Sequence, residues 1–490
     1  MPDPLDPGRS LPVWISVSVA AALLSFQLLI PPVVGLANNG DFASVMGYVG
    51  FHYIVESRAD NDFSWIVTQF AVGKPGWFRS GLLTSETLLA GLARIVSEPF
   101  SSSGLFDLRV LGAIHIALLV AGIGLLVSAA SALGRPAQWV TSILMVFVFT
   151  DVGYAAPLNS FFSQAASLVF LMLTLGVAAG GIVSSDKSPA RVAAYFVLAA
   201  LFVCSKPQES IQGPLLATLG LRLWGVPLRN FWRRPAFWAA VGLCALSFWY
   251  YRQTPPAIAQ VARYHKVFME LLKNSPDPKG DLADLGLDPA WVDNVGKIAY
   301  SPTSPFNDPG FRSAFLARFS YPKLILFYAT HPSRLSSVLD RGGASALQLR
   351  HPRFGNFEKR RGLPPGAQTS SFSAWSRARR SLPGHPLIWL SSLFAVTVVA
   401  AIRTYATASE AGKRAREGII ALVVMAAAAF SVCVFANAHG DLPRHFYVFH
   451  ALTDLILIAD TAWIVQRLSR VRPALAHGQD ARDMLSRGGA

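Results

Sequence analysis

Ala37-Asn38-Asn39-Gly40-Asp41-Phe42 closes a stretch in which, from Ser10 to Gly40, no side chain carries a charge. Such a run is long enough to supply the roughly 20 apolar residues that cross a bilayer core. It outruns the roughly 7–15-residue core of a secretory signal, and its leader carries only Arg9 against Asp3 and Asp6. It therefore reads as a retained membrane span from about Pro12 to Leu36. The pair Pro31-Pro32 should kink or end that helix, because proline has no amide hydrogen to donate. Asp41 is the first carboxylate beyond it.

The rest of the chain repeats the pattern. Of 490 residues, 52% are hydrophobic and 14% charged, well under the roughly 25% charged residues of an average soluble domain. Too few polar side chains are present to cover a soluble surface, so the chain is an all-α polytopic membrane protein. Its net charge of +15 would point to nucleic acid in a soluble protein. Here Lys and Arg collect in short loops between apolar runs, as they do on the cytoplasmic side of membrane proteins, and no nucleic-acid partner is expected. Cys204, Cys244 and Cys433 all lie in apolar runs and read as small buried hydrophobes.

Apolar runs place about ten transmembrane helices, near 12–36, 110–133, 139–150, 162–182, 192–204, 211–224, 236–251, 386–402, 419–435 and 446–465. Four regions follow: an N-terminal membrane region 1–251, a polar insertion 252–385, a C-terminal membrane region 386–466 and a basic tail 467–490. Residues 37–108 form a polar loop holding Asp41, Glu56, Arg58, Asp60, Asp62, Lys74 and Arg79. Within it, Leu82–Ile95 has the spacing of an amphipathic helix lying along the membrane surface. The loops after spans two, four, six and eight are basic, whereas those after three, five and nine hold at most Lys206 or Arg444. The positive-inside rule then sets both termini in the cytoplasm, and the 37–108 loop and the insertion outside.

That topology gathers Asp41, Asp151, Asn159, Lys206, Gln208, Glu209, Asp441, Arg444 and His445 at the outer ends of different spans. The third and fifth spans are too short to cross as plain apolar rods. Their polar ends need a wet cavity lined by protein, because lipid cannot satisfy such groups. Asp41 suits a general base, or a helix-end carboxylate held by Asn38, Asn39 or backbone amides. Lys206, Arg444 and His445 suit a phosphate, Arg444 through its bidentate guanidinium, or an aqueous interface to which long cationic side chains snorkel. Asp151 suits a substrate hydroxyl, a divalent cation or a helix cap. Asp454 and Asp460 lie inside the last span, where a Ser, Thr or Trp on a facing helix is as fitting a partner as a substrate. The insertion's aromatics Trp291, Tyr300, Phe354 and Trp375 fit either glycan recognition or a structural cap.

No glycine-rich phosphate loop, dinucleotide fingerprint, H-E-x-x-H or paired C-x-x-C is present. That argues against a nucleotide donor and fits a substrate carried on membrane lipid. A transporter or flippase of lipid-linked saccharide should instead carry polar groups through the whole membrane depth. A ligase of the O-antigen type shares outer-face cations but does not require a carboxylate after span one.

Several segments in order carry a resemblance. They are Asn38-Asn39-Gly40-Asp41-Phe42, then Asp151 with Tyr154 and Asn159-Ser160-Phe161, then Ser205-Lys206-Pro207-Gln208. Leu285-Gly286-Leu287-Asp288-Pro289, Gly355-Asn356-Phe357-Glu358-Lys359 and Gly440-Asp441 with Arg444-His445 complete the set. In these the chain resembles the GT-C superfamily of membrane glycosyltransferases, and within it the bacterial WsfD-like hexose transferases of glycan biosynthesis. The resemblance implies an inverting displacement on a polyprenyl-phosphate-sugar donor, with a glycan or glycolipid acceptor and Asp41 as base. It implies donor phosphate on Lys206, Arg444 and His445, and substrate contacts from Asn38, Asn39, Asp151, Asn159, Gln208 and Asp441. Gln164 stands where an acid is expected before span four, so the resemblance leaves room for a divalent cation without requiring a cofactor.

Overall fold

The computed structural model describes residues 7–76, 82–100, 104–184, 187–225, 229–351, 356–382, 384–437 and 442–487. A helix stands at each of the ten expected positions. They are α1 (Pro7–Leu28), α4 (Leu108–Ala130), α5 (Arg135–Phe149) continued by the short α6 (Val152–Ala155), and α7 (Gln164–Ser184). Then come α8 (Pro189–Val203), α9 (Gly213–Leu223), α10 (Pro235–Arg252), α13 (Pro386–Arg403), α14 (Glu410–Ala436) and α15 (Tyr447–Arg487). Two helices of the first loop are α2 (Phe42–Val49) and α3 (Ser85–Ser97); two of the insertion are α11 (Pro332–Ala346) and α12 (Ala374–Arg380).

The ten expected helices differ in length and apolar content. Among the described residues, six helices are long and apolar enough to cross alone, and a seventh if the α5–α6 pair, bent by 63°, is one broken span. At 1.5 Å per residue, the 15 residues of α8 and the 11 of α9 rise only about 22 and 16 Å. α10 has 18 residues but spends its ends on Trp238, Trp249, Tyr250 and Tyr251, aromatics suited to the two interfaces of a bilayer. α1 stops at Leu28, three residues short of the proline pair, and the chain runs on without helix to Leu36.

α7 is the central post, with 72% of its span residues buried, whereas α13 is peripheral at 11%. α4 packs on α7 through glycine. A Cβ on Gly122 would stand 2.7 Å from the Met172 Cβ, and one on Gly176 would stand 2.7 Å from the Leu125 Cβ. Such seams are how helices approach closely in lipid, where apolar burial alone drives no association. Across the α13–α15 contact, Asp460 accepts from Thr397 Oγ1 at 2.6 Å.

The first loop is more ordered than a polar loop. β1 (Phe51–His52), β2 (Gln69–Val72) and β3 (Leu105–Asp107) form an antiparallel sheet in that order, with Phe51 opposite Val72 and Phe70 opposite Phe106. Phe51 stacks on Phe106 at 4.1 Å, Phe70 meets Phe161 edge-on at 5.1 Å, and Phe42 meets Phe162 at 4.8 Å. Aromatic pairs at such distances add to plain burial, so this cluster seats the loop on the segment entering α7. α3 turns its small and polar face inward: Glu86 is fully buried and lies 3.3 Å from His115 of α4. Leu88, Leu92, Ile95 and Val96 remain exposed on its outer side.

The insertion shares one apolar core with the membrane helices. α12 is its anchor. Asp454 of α15 accepts from Tyr154 at 2.7 Å, Trp375 Nε1 at 2.8 Å and Arg379 Nη1 at 2.6 Å, and Arg379 is itself buried. Arg379 also donates to the Ala346 carbonyl and reaches His450 Nδ1 at 2.9 Å. Lys266, fully buried, donates to the Val434 carbonyl near the end of α14 at 2.6 Å. Glu358 accepts from Thr68, and Lys359 pairs with Asp60, tying the insertion to the first loop.

Candidate functional site

The turn before α2 is built to present Asp41. The Asn38 side-chain oxygen Oδ1 accepts from the Gly40 and Phe42 amides at 2.9 and 3.0 Å, and its Nδ2 donates to Asp62 at 2.7 Å. Asn39 accepts from the Asp41 amide at 3.1 Å. Gly40 sits at φ +102°, where a side chain is strained. Phe42, held in the aromatic cluster, fixes the start of the helix. Asp41 is left 57% exposed, with its carboxylate free of any capping duty toward α2.

Arg444 comes to that carboxylate from 403 residues away. Its Nη1 donates to Asp41 Oδ2, and its guanidinium lies over the Phe162 ring at 5.0 Å. Phe162 thus supports Phe42 on one side and Arg444 on the other, which aligns the acid with the cation. The exposed Tyr300 of the insertion completes this side. Desolvation first, and the Asp41 carboxylate second, raise its phenol above the usual range.

A second cluster forms in the turn between the short helices α8 and α9. Lys206 Nζ lies 3.1 Å from His445 Nδ1. Gln208 Oε1 lies 2.9 Å from the same ring nitrogen, and its Nε2 donates to the His445 carbonyl at 3.0 Å and to Glu209 at 2.7 Å. Burial pushes the Glu209 carboxyl up to about 7, against the pull of Lys206 and the Gln208 hydrogen bond. Arg444 and His445 are adjacent in the chain, so one short segment carries a partner of each cluster.

Asp151 and Asn159 have other work. Asp151 is buried, and its two oxygens accept from the Gly153 and Ser376 amides at 2.8 and 2.9 Å, capping α6 and docking α12. Asn159 is fully buried and donates to the Leu28 and Val34 carbonyls at 3.0 Å each, closing the frayed end of α1. Asp441 lies outside the described residues. Trp375 is half-buried and bonded to Asp454, and Trp291 packs on Phe311 at 4.9 Å inside the insertion. Phe354 falls outside the described residues. Among the described residues, no group of three or more His, Cys, Asp and Glu side chains could hold a metal ion.

The comparisons with known proteins follow the membrane region. The family described as the YfdI N-terminal transmembrane domain matches residues 8–481. No curated protein matches the chain significantly. Two solved structures from Archaeoglobus fulgidus are similar. One is an oligosaccharyltransferase tethered with an acceptor peptide containing the NVT sequon, 12% identical over 94% of this chain and 50% of that one, with a TM-score of 0.38. The other is the archaeal oligosaccharyltransferase AglB with an inhibitory peptide and a dolichol-phosphate, 14% identical over 96% of this chain and 52% of that one, with a TM-score of 0.39. The chain spans about half the length of these two proteins, and a likeness this loose carries nothing about mechanism.

Proposed function

The chain belongs to the YfdI N-terminal transmembrane domain family, and from that premise we propose that it is an inverting membrane glycosyltransferase. It moves a hexose from a polyprenyl-phosphate-linked donor to a surface glycan or glycolipid, on the extracytoplasmic face of a bacterial plasma membrane. One observation supports the reading: the Asp41 carboxylate is paired with Arg444, whose chain neighbour His445 lies 3.1 Å from Lys206 Nζ.

In this reaction Asp41 takes the proton of an acceptor hydroxyl as its oxygen attacks the anomeric carbon. The bond from that carbon to the phosphate oxygen breaks, and its electron pair leaves on the phosphate. Lys206 and Arg444 stabilise the charge that develops there and His445 adds a hydrogen bond, as preorganised cations and donors do. Gln208 holds the imidazole in place, and the Asn38–Asn39 turn holds the base.

Asp41→Asn tests the assignment. It keeps the size and the hydrogen bond to Arg444 while removing the base. Release of polyprenyl phosphate from a synthetic polyprenyl-phosphate-hexose should fall roughly 10²–10⁴-fold, the usual contribution of a positioned general base. A folded variant that transfers sugar at the normal rate sinks the assignment.

A further inference from the structure

Three residues before the base, the main-chain carbonyl of Asn38 accepts from the Phe63 amide at 2.7 Å, and the Asn38 side chain donates to Asp62 at 2.7 Å. The turn that carries Asp41 is therefore backed by segment 62–66 of the same loop. Phe63 sits there at φ +62°. That region is open to glycine and costly for a bulky side chain, which keeps it only where the surroundings hold it. Here they hold it at both ends. Beyond the Asn38 bond, the Gly366 amide of the insertion donates to the Ser64 carbonyl at 2.7 Å, and the Ile66 amide donates to the Phe357 carbonyl at 3.0 Å.

The strain does not serve packing. Phe63 is 47% exposed, whereas Phe42, Phe51 and Phe70 of the same loop are buried in the aromatic cluster. Phe372, the other bulky residue in this backbone region, spends its ring on Phe26 at 6.1 Å. Trp65 is half-buried, with the Lys359 ammonium over its ring at 5.3 Å. Phe63 instead leaves its ring in water, one hydrogen bond from the turn that holds the base. Asp62 and the Asp60–Lys359 pair flank it.

An exposed aromatic ring among carboxylates and amides suits a sugar. The C–H groups on one face of a pyranose carry partial positive charge and lie against the negative face of the ring, while the carboxylates and amides take hydroxyls. Ile54 and Val55, exposed on the same loop, make lipid the competing partner. The charges of Asp60, Asp62 and Lys359 count against it, because hydrocarbon penalises them.

We propose that Phe63 is the acceptor platform: it stacks on the pyranose ring whose hydroxyl Asp41 deprotonates, and so selects acceptors with a flat apolar face. This assignment rests on the glycosyltransferase reading and gives its acceptor a binding residue besides the base.

The full chain in nanodiscs, probed by saturation-transfer NMR with the methyl pyranosides of glucose, galactose, mannose and rhamnose, tests this. At least one probe should bind, and Phe63→Gly should weaken it roughly tenfold, the loss of about one aromatic contact. Glycine also relieves the positive φ, so the same variant should melt no lower than wild type; a ring that served only the fold would lower melting and leave binding alone. Phe63→Asn, which tolerates the left-handed region, is the second ringless variant should Phe63→Gly fail to fold. Phe63→Trp should keep binding within about threefold of wild type. Asp41→Asn should abolish transfer and still bind the same probe, so failure of the base assignment is read separately. Phe63-dependent binding with no release of polyprenyl phosphate from undecaprenyl-phosphate-glucose by wild type would count against the glycosyltransferase reading while supporting Phe63 as a sugar site. Wild type that binds none of the probes, or folded ringless variants within about twofold of it, overturns the proposal. So does extra quenching of Phe63→Trp fluorescence by brominated lipid, which would put the ring in the bilayer.

Discussion

Asp454→Ala should be among the most damaging single substitutions in the chain. It removes the one acceptor shared by Tyr154, Trp375 and Arg379, at 2.7, 2.8 and 2.6 Å. Arg379 is 4% exposed, so its charge would be left buried with the Ala346 carbonyl and His450 as partners. Breaking a buried ion pair by removing one member costs about 3–5 kcal/mol. Two neutral donors left unmet cost about 1 kcal/mol or more each. These terms share one site and do not simply add, so a loss of about 4–6 kcal/mol is expected. Arg379→Met with Asp454→Leu should be less damaged than either single change, because an apolar pair leaves no orphaned charge. The assay is unfolding of the detergent-solubilised protein followed by helical signal, with tryptic cleavage of residues 252–385 as a local readout. A loss under about 1 kcal/mol for Asp454→Ala, or a double variant as weak as the sum of the singles, would refute the reasoning.

Three more outcomes follow from the packing. Burial lowers the Lys266 ammonium from 10.5 to about 8, so between these values the folded chain binds fewer protons than the unfolded chain. Stability should therefore rise as pH goes from about 8 to 10.5, by at most about 3 kcal/mol; Lys266→Met should flatten that difference in melting profiles taken at pH 8, 9 and 10. Gly122→Val should push α4 from α7 at Met172 and lower the melting temperature, at a cost of about 1–3 kcal/mol. Gly47→Ala, which meets nothing within 4 Å, should leave melting unchanged.

Membrane helices were legible because lipid asks for long charge-free runs, and Ser10 to Gly40 shows one without ambiguity. Their number was less so. α8, α9 and α10 carry apolar composition without the length or the hydropathy, and composition alone does not say how deep a helix sits. The three-stranded sheet left no trace, since strands of two to four residues have no period to read. The Asn38–Asp41 turn was legible as polar groups around a carboxylate, and Asp454 and Asp460 met the Trp and Thr partners the sequence left open for them. Arg444 as the partner of Asp41 was not legible, because nothing local links residues 403 apart. Arg379 was hidden among the many arginines of the insertion. Only packing distinguishes a guanidinium turned inward from one left in water. Glu86 misled in the opposite sense, for a surface-helix pattern concealed a carboxylate buried against His115.

The Asp41–Arg444 contact joins the first loop to the segment that leads into α15. On the ribosome, Asp41 is made 403 residues before Arg444, so a growing chain holds one half of the pair long before the other. A nascent chain already lodged in the membrane therefore leaves the first loop without this tie until the helices between the two residues have been made and packed.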